Sequence, residues 1–539
     1  TDLVADKRVS TPTGAAIAAV PDMNEVLEDL DHLADSVNSG ATETVGKFFK
    51  QTCDIGSEDG LKLTKPIGYL RSTSIFRGCY DGGNHNVWVD ITHNPTTGGE
   101  GVGLFGSAAR YSSDAKYNYT VKNVNVYGEI KGHVTGLNAT GIGGVVGLAM
   151  PSGKYECGIL NCNNYATIDY QGTFSSFKEI FPGGIVGKCE GANICNCVNY
   201  GTIKATVEGN NSAYIRGGGI VGDADMYTRI TNSANLGKID FTTVKSVMGG
   251  GIVGCIEGNG GDFIANFHNC YSNGDITLAN TGTSKSFYCG GVIGYWNGNV
   301  GDVVEDCYYI PSDTVTKGYG QAREDRDTSK IYEVSDELAK AEEAVANSLI
   351  STLNTNVAAL ENPFCNYWIK NAGEYPTPTT YVLSSQLAYN YVNEPAETND
   401  FRIAFGIDVS KGYNKEMLMP GQSVGIKVYK NQSLALTLDI TNKTATKAGG
   451  ESVGFYSKYD KNMLYFTLEL GDLIATPSDA KVLYSFTTYK TAGEQTQEFF
   501  GTGWSFASLL DAYLDPLNPY EITAEQRTSL EHCKEDLGL

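Results

Sequence analysis

Histidine and tryptophan are scarce in this chain of 539 residues, with six of one and four of the other. The six His (His32, His85, His93, His133, His268 and His532) include no pair four residues apart. That excludes the HExxH zinc motif, which needs two imidazoles on one helical face. No G-x-S-x-G nucleophile elbow occurs. GTGWSFA around Gly503 comes nearest, but it lacks the last Gly and is not expected in a strand–helix setting. Long apolar runs are absent too. Nothing approaches the roughly 20 residues that cross a bilayer, so no membrane insertion of this segment is expected. The first residues, TDLVADKRVSTPTG, are polar and lack the apolar stretch of a secretory leader. Positive charge is in deficit: 40 Lys and Arg face 62 Asp and Glu, for a net charge of −22. Such a surface repels phosphate backbones and anionic lipid, which excludes nucleic acid as a partner class.

What the chain has instead is glycine, 64 residues of it, in a recurring string. The string reads GVGLFG ending at Gly106, GGVVG at Gly147, GGIVG at Gly187, GGGIVG at Gly222, GGGIVG at Gly254 and GGVIG at Gly294. The intervals are 41, 40, 35, 32 and 40 residues. Inside each interval sits a second string: VKNVNVYGEI from Val121, ILNCNNYATI from Ile159, ICNCVNYGTI from Ile194, ITNSANLGKI from Ile230 and FHNCYSNGDI from Phe267. A frayed copy, VEDCYYI, starts at Val304. The template is apolar-x-Asn-Cys-x-x-x-Gly-x-Ile.

A period of this length means stacked supersecondary units. The units are short, β-branched and bounded by Gly, without helical periodicity. Stacking them predicts a parallel β-solenoid, with equivalent side chains about 4.8 Å apart. We expect one coil per repeat and three short strands per coil, with two coils per repeat as the alternative. One column is Val124, Cys162, Cys197, Ser233, Cys270 and Cys307. It admits only small, mostly apolar residues, as an inward-facing stack in a narrow core requires. A second column, Gly128, Ala166, Gly201, Gly237 and Gly274, predicts a tight bend or a close backbone approach. The Asn before the Cys breaks the two-residue alternation and suits a left-handed corner. GGIVG is expected at another corner, with its Ile-Val pair starting the next strand.

These strings resemble the GLUG-motif repeat family of bacterial surface proteins. The resemblance extends upstream, where TCDIGSEDG, KPIGYL and FRGCYDGGNHNV (Phe76–Val87) look like the leading segment of such domains. Before them, Asn24 is expected to cap an amphipathic helix with Val26, Leu30, Leu33 and Val37 on one stripe, covering the open end of the solenoid. Downstream, SDELAKAEEAVANSLISTLN from Ser335, then Trp368 and GEYP, resembles the family's closing segment. The likeness covers residues 22–378, after an N-terminal extension of residues 1–21. It implies a right-handed parallel β-helix with helical caps on an exported protein, and it implies no reaction. GLUG repeats also accompany some immunoglobulin-A-cleaving peptidases, whose zinc motif this chain lacks.

Beyond YPTPTTY the period changes to two. FRIAFGIDV, SVGIKVY, SLALTLDI and MLYFTLEL alternate, as KVLYSF does in part. Residues 379–539 are therefore expected to form an antiparallel, sandwich-like β-domain. It ends in a helix over GWSFASLLDAYL and a second helix after Thr523, where Gln526 completes a capping box.

Candidate chemistry is thin. Three Gly strings match G-x-G-x-x-G (Gly101–Gly106, Gly217–Gly222 and Gly249–Gly254), but a sixfold structural corner cannot mean six cofactors. Cys195 and Cys197, with Cys189 nearby, lack a second ligand pair at metal-finger spacing, and Cys197 belongs to the inward column. Thirteen Cys is an odd number, and column neighbours need not meet the geometry of a disulfide. Cys53, Cys79, Cys365 and Cys533 lie outside the column, and their state is open. A polysaccharide lyase or hydrolase would need paired acids, and Asp223, Asp225, Asp262, Asp302 and Glu305 are candidates expected in inter-strand loops. Solvated loop carboxylates are the plainer reading, so no catalytic, cofactor or metal residue is assigned. Tyr is plentiful, at 33 residues, and Tyr and Asn in loops suit contact with carbohydrate or protein, but stacking within the solenoid accounts for many of the tyrosines. The expectation is a monomeric, non-enzymatic, adhesin-like protein, secreted or on the bacterial surface, that binds an extracellular glycan or protein. A carbohydrate-active enzyme and a passive stalk are the alternatives.

Overall fold

The structure is a computed structural model. It describes residues 9–10 and 23–378 apart from 43, 52, 111–118, 136–138, 152–155, 175–177, 210–212, 259–263, 283–285, 361 and 363. From 386 onward it describes the chain outside 392–400, 409–421, 431–432, 440–441, 443, 455, 461–462, 470–475, 477, 483, 493–494 and 515–523. The chain is mainly β, with parallel sheets forming a solenoid of about five turns and antiparallel sheets following. It divides into two compact units. The first holds Val20–Leu360 and Phe364–Thr380, and the second holds Tyr381–Leu539.

Each repeat is one coil, but a coil carries five strand segments where three were expected. One coil runs through Ala192–Cys195, Val198–Asn199, Ile203–Gly209, Ala213–Gly218 and Val221–Asp225. Its segments pair in parallel with those of the coils before and after, giving four sheets of nine, twelve, six and seven strands. Register is kept residue by residue. The template Ile forms a buried column through Ile130, Ile168, Ile203, Ile239 and Ile276. Each such side chain contributes on the order of 2 kcal/mol through the water it sheds. Val124, Cys162, Cys197, Ser233, Cys270 and Cys307 are all fully buried, as the inward column requires.

Two corners set the coil's shape, for different physical reasons. At the first, Asn123, Asn161, Asn196, Asn232 and Asn269 adopt φ of 54–55°, and Asp306 adopts 53°. Asn tolerates this left-handed backbone because its short side chain bonds locally. At the GGIVG corner glycine is needed for room. A Cβ on Gly183 would lie 1.9 Å from the Val186 carbonyl oxygen, and one on Gly184 would lie 2.1 Å from that of Gly219. The strand Lys178–Gly183 thus folds sharply into Val186–Glu190, with Ile185 buried between them.

Helix α1 (Met23–Asn38) places Leu30, Leu33, Ala34 and Val37 in the same core as Phe49, Ile67 and Phe76. It starts at Met23, so Asn24 lies in its first turn and not at the cap, while the Val26 side chain is outside the described residues. The second unit has a four-stranded sheet and a six-stranded sheet, both antiparallel. The alternating runs appear as Phe401–Asp408, Gln422–Lys430, Ser433–Asp439 and Met463–Glu469. KVLYSF enters its strand only at Tyr484. Helices α4 (Phe506–Leu514) and α5 (Ala524–Asp536) were also expected, but Thr523 and its cap fall outside the described residues. Ser505 stands between strand Gln495–Trp504 and α4, so GTGWSFA does have a strand–helix setting. Ala507 still occupies the place of the motif's last Gly.

Candidate functional site

The Asn corners form a ladder up one flank of the solenoid. The Nδ2 of Asn161 donates to Asn123 Oδ1 at 2.9 Å, Asn196 to Asn161 at 2.8 Å, Asn232 to Asn196 at 2.7 Å and Asn269 to Asn232 at 2.8 Å. Each side chain also has capacity to spare, since an amide offers two donors and two lone pairs. The closing segment uses it. After Ser335, whose hydroxyl accepts from Leu338 N, come α2 (Asp336–Lys340) and α3 (Leu349–Leu360). The chain then runs along the ladder and not across an end. Asn232 Nδ2 donates to Asn366 O at 2.8 Å, Asn366 N to Asn196 Oδ1 at 2.9 Å and Asn269 Nδ2 to Leu353 O at 3.1 Å. The buried Trp368 donates its indole N–H to Asn232 Oδ1. We call residues 349–378 the clasp.

Beside the clasp, four half-buried rings stack up the outer wall. Trp88, Tyr127, Tyr165 and Tyr200 lie 4.9, 4.4 and 4.5 Å apart between successive centroids, and the tyrosines are tilted by only 3°. In-register stacking lets the rings cover one another's faces. Burial pushes the Tyr165 and Tyr200 phenols up, so both stay protonated.

The stack ends at a cleft of about 530 Å³. The solenoid supplies Tyr200 and Leu236, α2 supplies Lys340, and the clasp hairpin supplies Ile369, Asn371, Glu374, Tyr375 and Thr377. The hairpin pairs Trp368–Ile369 with Thr377–Pro378 around a turn in which Glu374 N donates to Asn371 O at 3.1 Å and Gly373 takes φ 77°. Lys340 lies 4.7 Å over the Tyr375 ring and pairs with Asp336 at 2.9 Å. The cleft therefore offers a phenol, an ammonium, a carboxylate and an amide around an apolar floor. It can bind a polar ligand of a few sugar rings or a short peptide.

The solenoid holds one dense ionic cluster away from this cleft. Arg216 reaches Glu179 and Glu257 at 2.6 Å and Asp223 at 3.3 Å, while Lys188 lies 3.8 Å from Asp223. The GGIVG corner brings these groups face to face from strands on either side of it. Burial pushes the Asp223 carboxyl up to about 6, outweighing the pull of Arg216 and Lys188. An acid in that range could donate a proton. Asp223 is nonetheless fully buried and no solute reaches it.

Of the other candidate acids, Asp225 shares the strand Val221–Asp225 with Asp223, so neither is a loop residue. Glu305 ends strand Val303–Glu305 and pairs with Lys330. Asp302 accepts from Ala265 N and from the Trp296 indole. Asp262 is outside the described residues. Apart from Asp223 and Asp225, neighbours on one strand, the structure does not gather these acids. No disulfide and no group of three potential metal ligands occurs among the described residues. Stacking of tyrosines within the solenoid was expected, and Tyr127, Tyr165 and Tyr200, the residues before the Gly column, are where it occurs; that the closing segment runs along the Asn ladder was not foreseen.

Comparison with known proteins yields no match to any family model, curated protein or solved structure.

Proposed function

We propose that this chain is a binding module of an exported, adhesin-like bacterial surface protein, as its resemblance to the GLUG-repeat family implies. The solenoid acts as a stiff scaffold, and the cleft beside Tyr200 takes an extracellular glycan or a short polar segment of a protein. The observation that carries this reading is the continuous register of the coils, which lays a row of stacked rings along one wall and ends it at an open, polar-lined cleft. Rigid aromatic side chains bind at low entropic cost, and tyrosine combines an apolar ring with a polar tip. The fully buried Asp223 favours binding over turnover. The reading also treats the protein as a monomer that neither inserts in a membrane nor binds nucleic acid. No described helix is long and apolar enough to cross a membrane.

A glycan array run beside a depolymerase screen tests the proposal. Binding without product, weakened at least tenfold by Tyr375→Ala, supports it. Release of product from any polymer overturns it in favour of a carbohydrate-active enzyme, and no binding to glycan or matrix protein leaves only a stalk.

A further inference from the structure

The clasp brings Cys365 to the solenoid wall, where its Sγ lies 3.9 Å from that of Cys195. The two residues are 170 positions apart in sequence, and both side chains are buried. They approach from opposite sides. Cys195 sits on strand Ala192–Cys195 next to the inward Ile194, so strand alternation turns it toward the clasp. Cys365 comes from the segment that Asn196 and Asn232 hold by hydrogen bonds on either side of it.

We propose that Cys195 and Cys365 are a disulfide site that locks the clasp to the flank when the chain folds in the presence of a disulfide oxidant. A disulfide needs its sulfurs at about 2.05 Å, so the pair must close by roughly 2 Å, within reach of side-chain rotation. The inward column differs. Cys162 and Cys197 project in the same direction from neighbouring parallel coils, an arrangement that holds their Cβ atoms near the coil spacing of about 4.8 Å and beyond the usual disulfide range. In the reaction one protein thiolate attacks the oxidant disulfide RS–SR, forming a mixed disulfide and releasing RS⁻. The second thiolate then attacks the protein sulfur of that mixed disulfide and expels the second RS⁻. Both leaving thiolates take up protons, so two protein thiols are oxidised as one RS–SR is reduced to two RSH.

Timing follows from burial. Desolvation raises the Cys195 thiol well above its usual range, with Cys365 adding to the effect. In the folded clasp Cys195 is therefore held as an unreactive thiol, and the bond forms as the clasp closes.

The test is to refold the full chain from denaturant in oxidised and reduced glutathione, alkylate what remains and map peptides without reduction. The expected result is one cross-linked peptide containing Cys195 and Cys365, with the other cysteines alkylated. The refolded protein should melt several degrees above its reduced form. Cys365→Ala should abolish the cross-link without creating one at Cys197 or Cys270. Full alkylation of every cysteine, or a cross-link within the inward column, overturns the proposal. Circular dichroism of the refolded chain and of the variant confirms that a missing cross-link is not a missing fold. The outcome does not depend on whether the cleft binds a ligand.

Discussion

The two units of this chain solve the same problem, pairing strands in register, with different means. In the second unit part of the register is local, although Gln422–Lys430 also pairs with the distant Tyr484–Ala492, and Phe401–Asp408 with Met463–Glu469. Strand Gln422–Lys430 pairs antiparallel with Ser433–Asp439 across a short connection, and a bulge between Val428 and Tyr429 is absorbed without loss of the sheet. In the solenoid register is non-local, since every partner lies 32–41 residues away in the repeat. Nothing nearby in sequence corrects a slip there. The corners carry the burden, and their residues have become nearly invariant from coil to coil. A unit built this way is expected to be intolerant at its corners and tolerant between them.

The sharpest way to break that contrast is to place one kind of change in both units. Gly183→Ala puts a Cβ 1.9 Å from a backbone oxygen in the middle of the stack. It should cost upwards of about 4 kcal/mol, as severe overpacking with backbone displacement does. Thermal unfolding followed by circular dichroism should show the solenoid transition falling steeply while that of the second unit stays in place. In Gly450→Ala, at φ 88° with no neighbour within 4 Å, only backbone strain is felt, about 1 kcal/mol. Equal losses at the two sites would erase the distinction.

Asn232 sharpens it next. Its side chain donates to Asn196 and Asn366 and accepts from Asn269 and Trp368, on a left-handed backbone. Asn232→Ala should cost about 3 kcal/mol through orphaned amides and backbone strain together. Asn232→Gly should recover about 1 kcal/mol of that, because it removes the strain and leaves the bonds unmade. Urea titration of the pair separates the two contributions.

A smaller effect comes from the ionic cluster. The folded Asp223 carboxyl sits at about 6, above its ordinary 3.8, because burial disfavours the charge. The folded chain then holds this proton more tightly than the unfolded chain between those two values. Asp223 therefore contributes stability that is complete below pH 3.8, declines as pH rises and is gone above about 6. The difference across the window is at most about 3 kcal/mol. A melting-temperature profile against pH should lose that decline in Asp223→Asn, which carries no charge at any pH.

Much of the fold was legible because a solenoid writes its geometry into a period. Cys197 could be placed inward from its column alone, and Asn196 at a left-handed corner from one broken alternation. The glycine strings named their corner as well, though the steric reason, the carbonyl of Val186, is a contact across the bend that no spacing reveals. Five strand segments per coil were read as three because pieces as short as Val198–Asn199 carry too few residues to show an alternation. The clasp was illegible for a deeper reason. Asn366 and Trp368 are single, unrepeated residues whose partners lie more than a hundred positions away. Asp223 looked like a loop acid because its strand is short and polar, and its burial comes from Arg216 across the glycine corner.

The central claim is that successive repeats stack as parallel coils in exact register along one axis. Thr92, Lys131, Asp169, Lys204, Asp240 and Thr277 occupy one column on six successive stacked strands. Spin labels at Thr92 paired in turn with Lys204, Asp240 and Thr277 read that spacing directly by dipolar electron paramagnetic resonance. Distances should grow from about 14 through 19 to 24 Å, one increment of about 4.8 Å per coil. Distances that fail to grow in step, or that spread broadly at the third pair, would contradict the stacked solenoid on which the flank, the clasp and the cleft all depend.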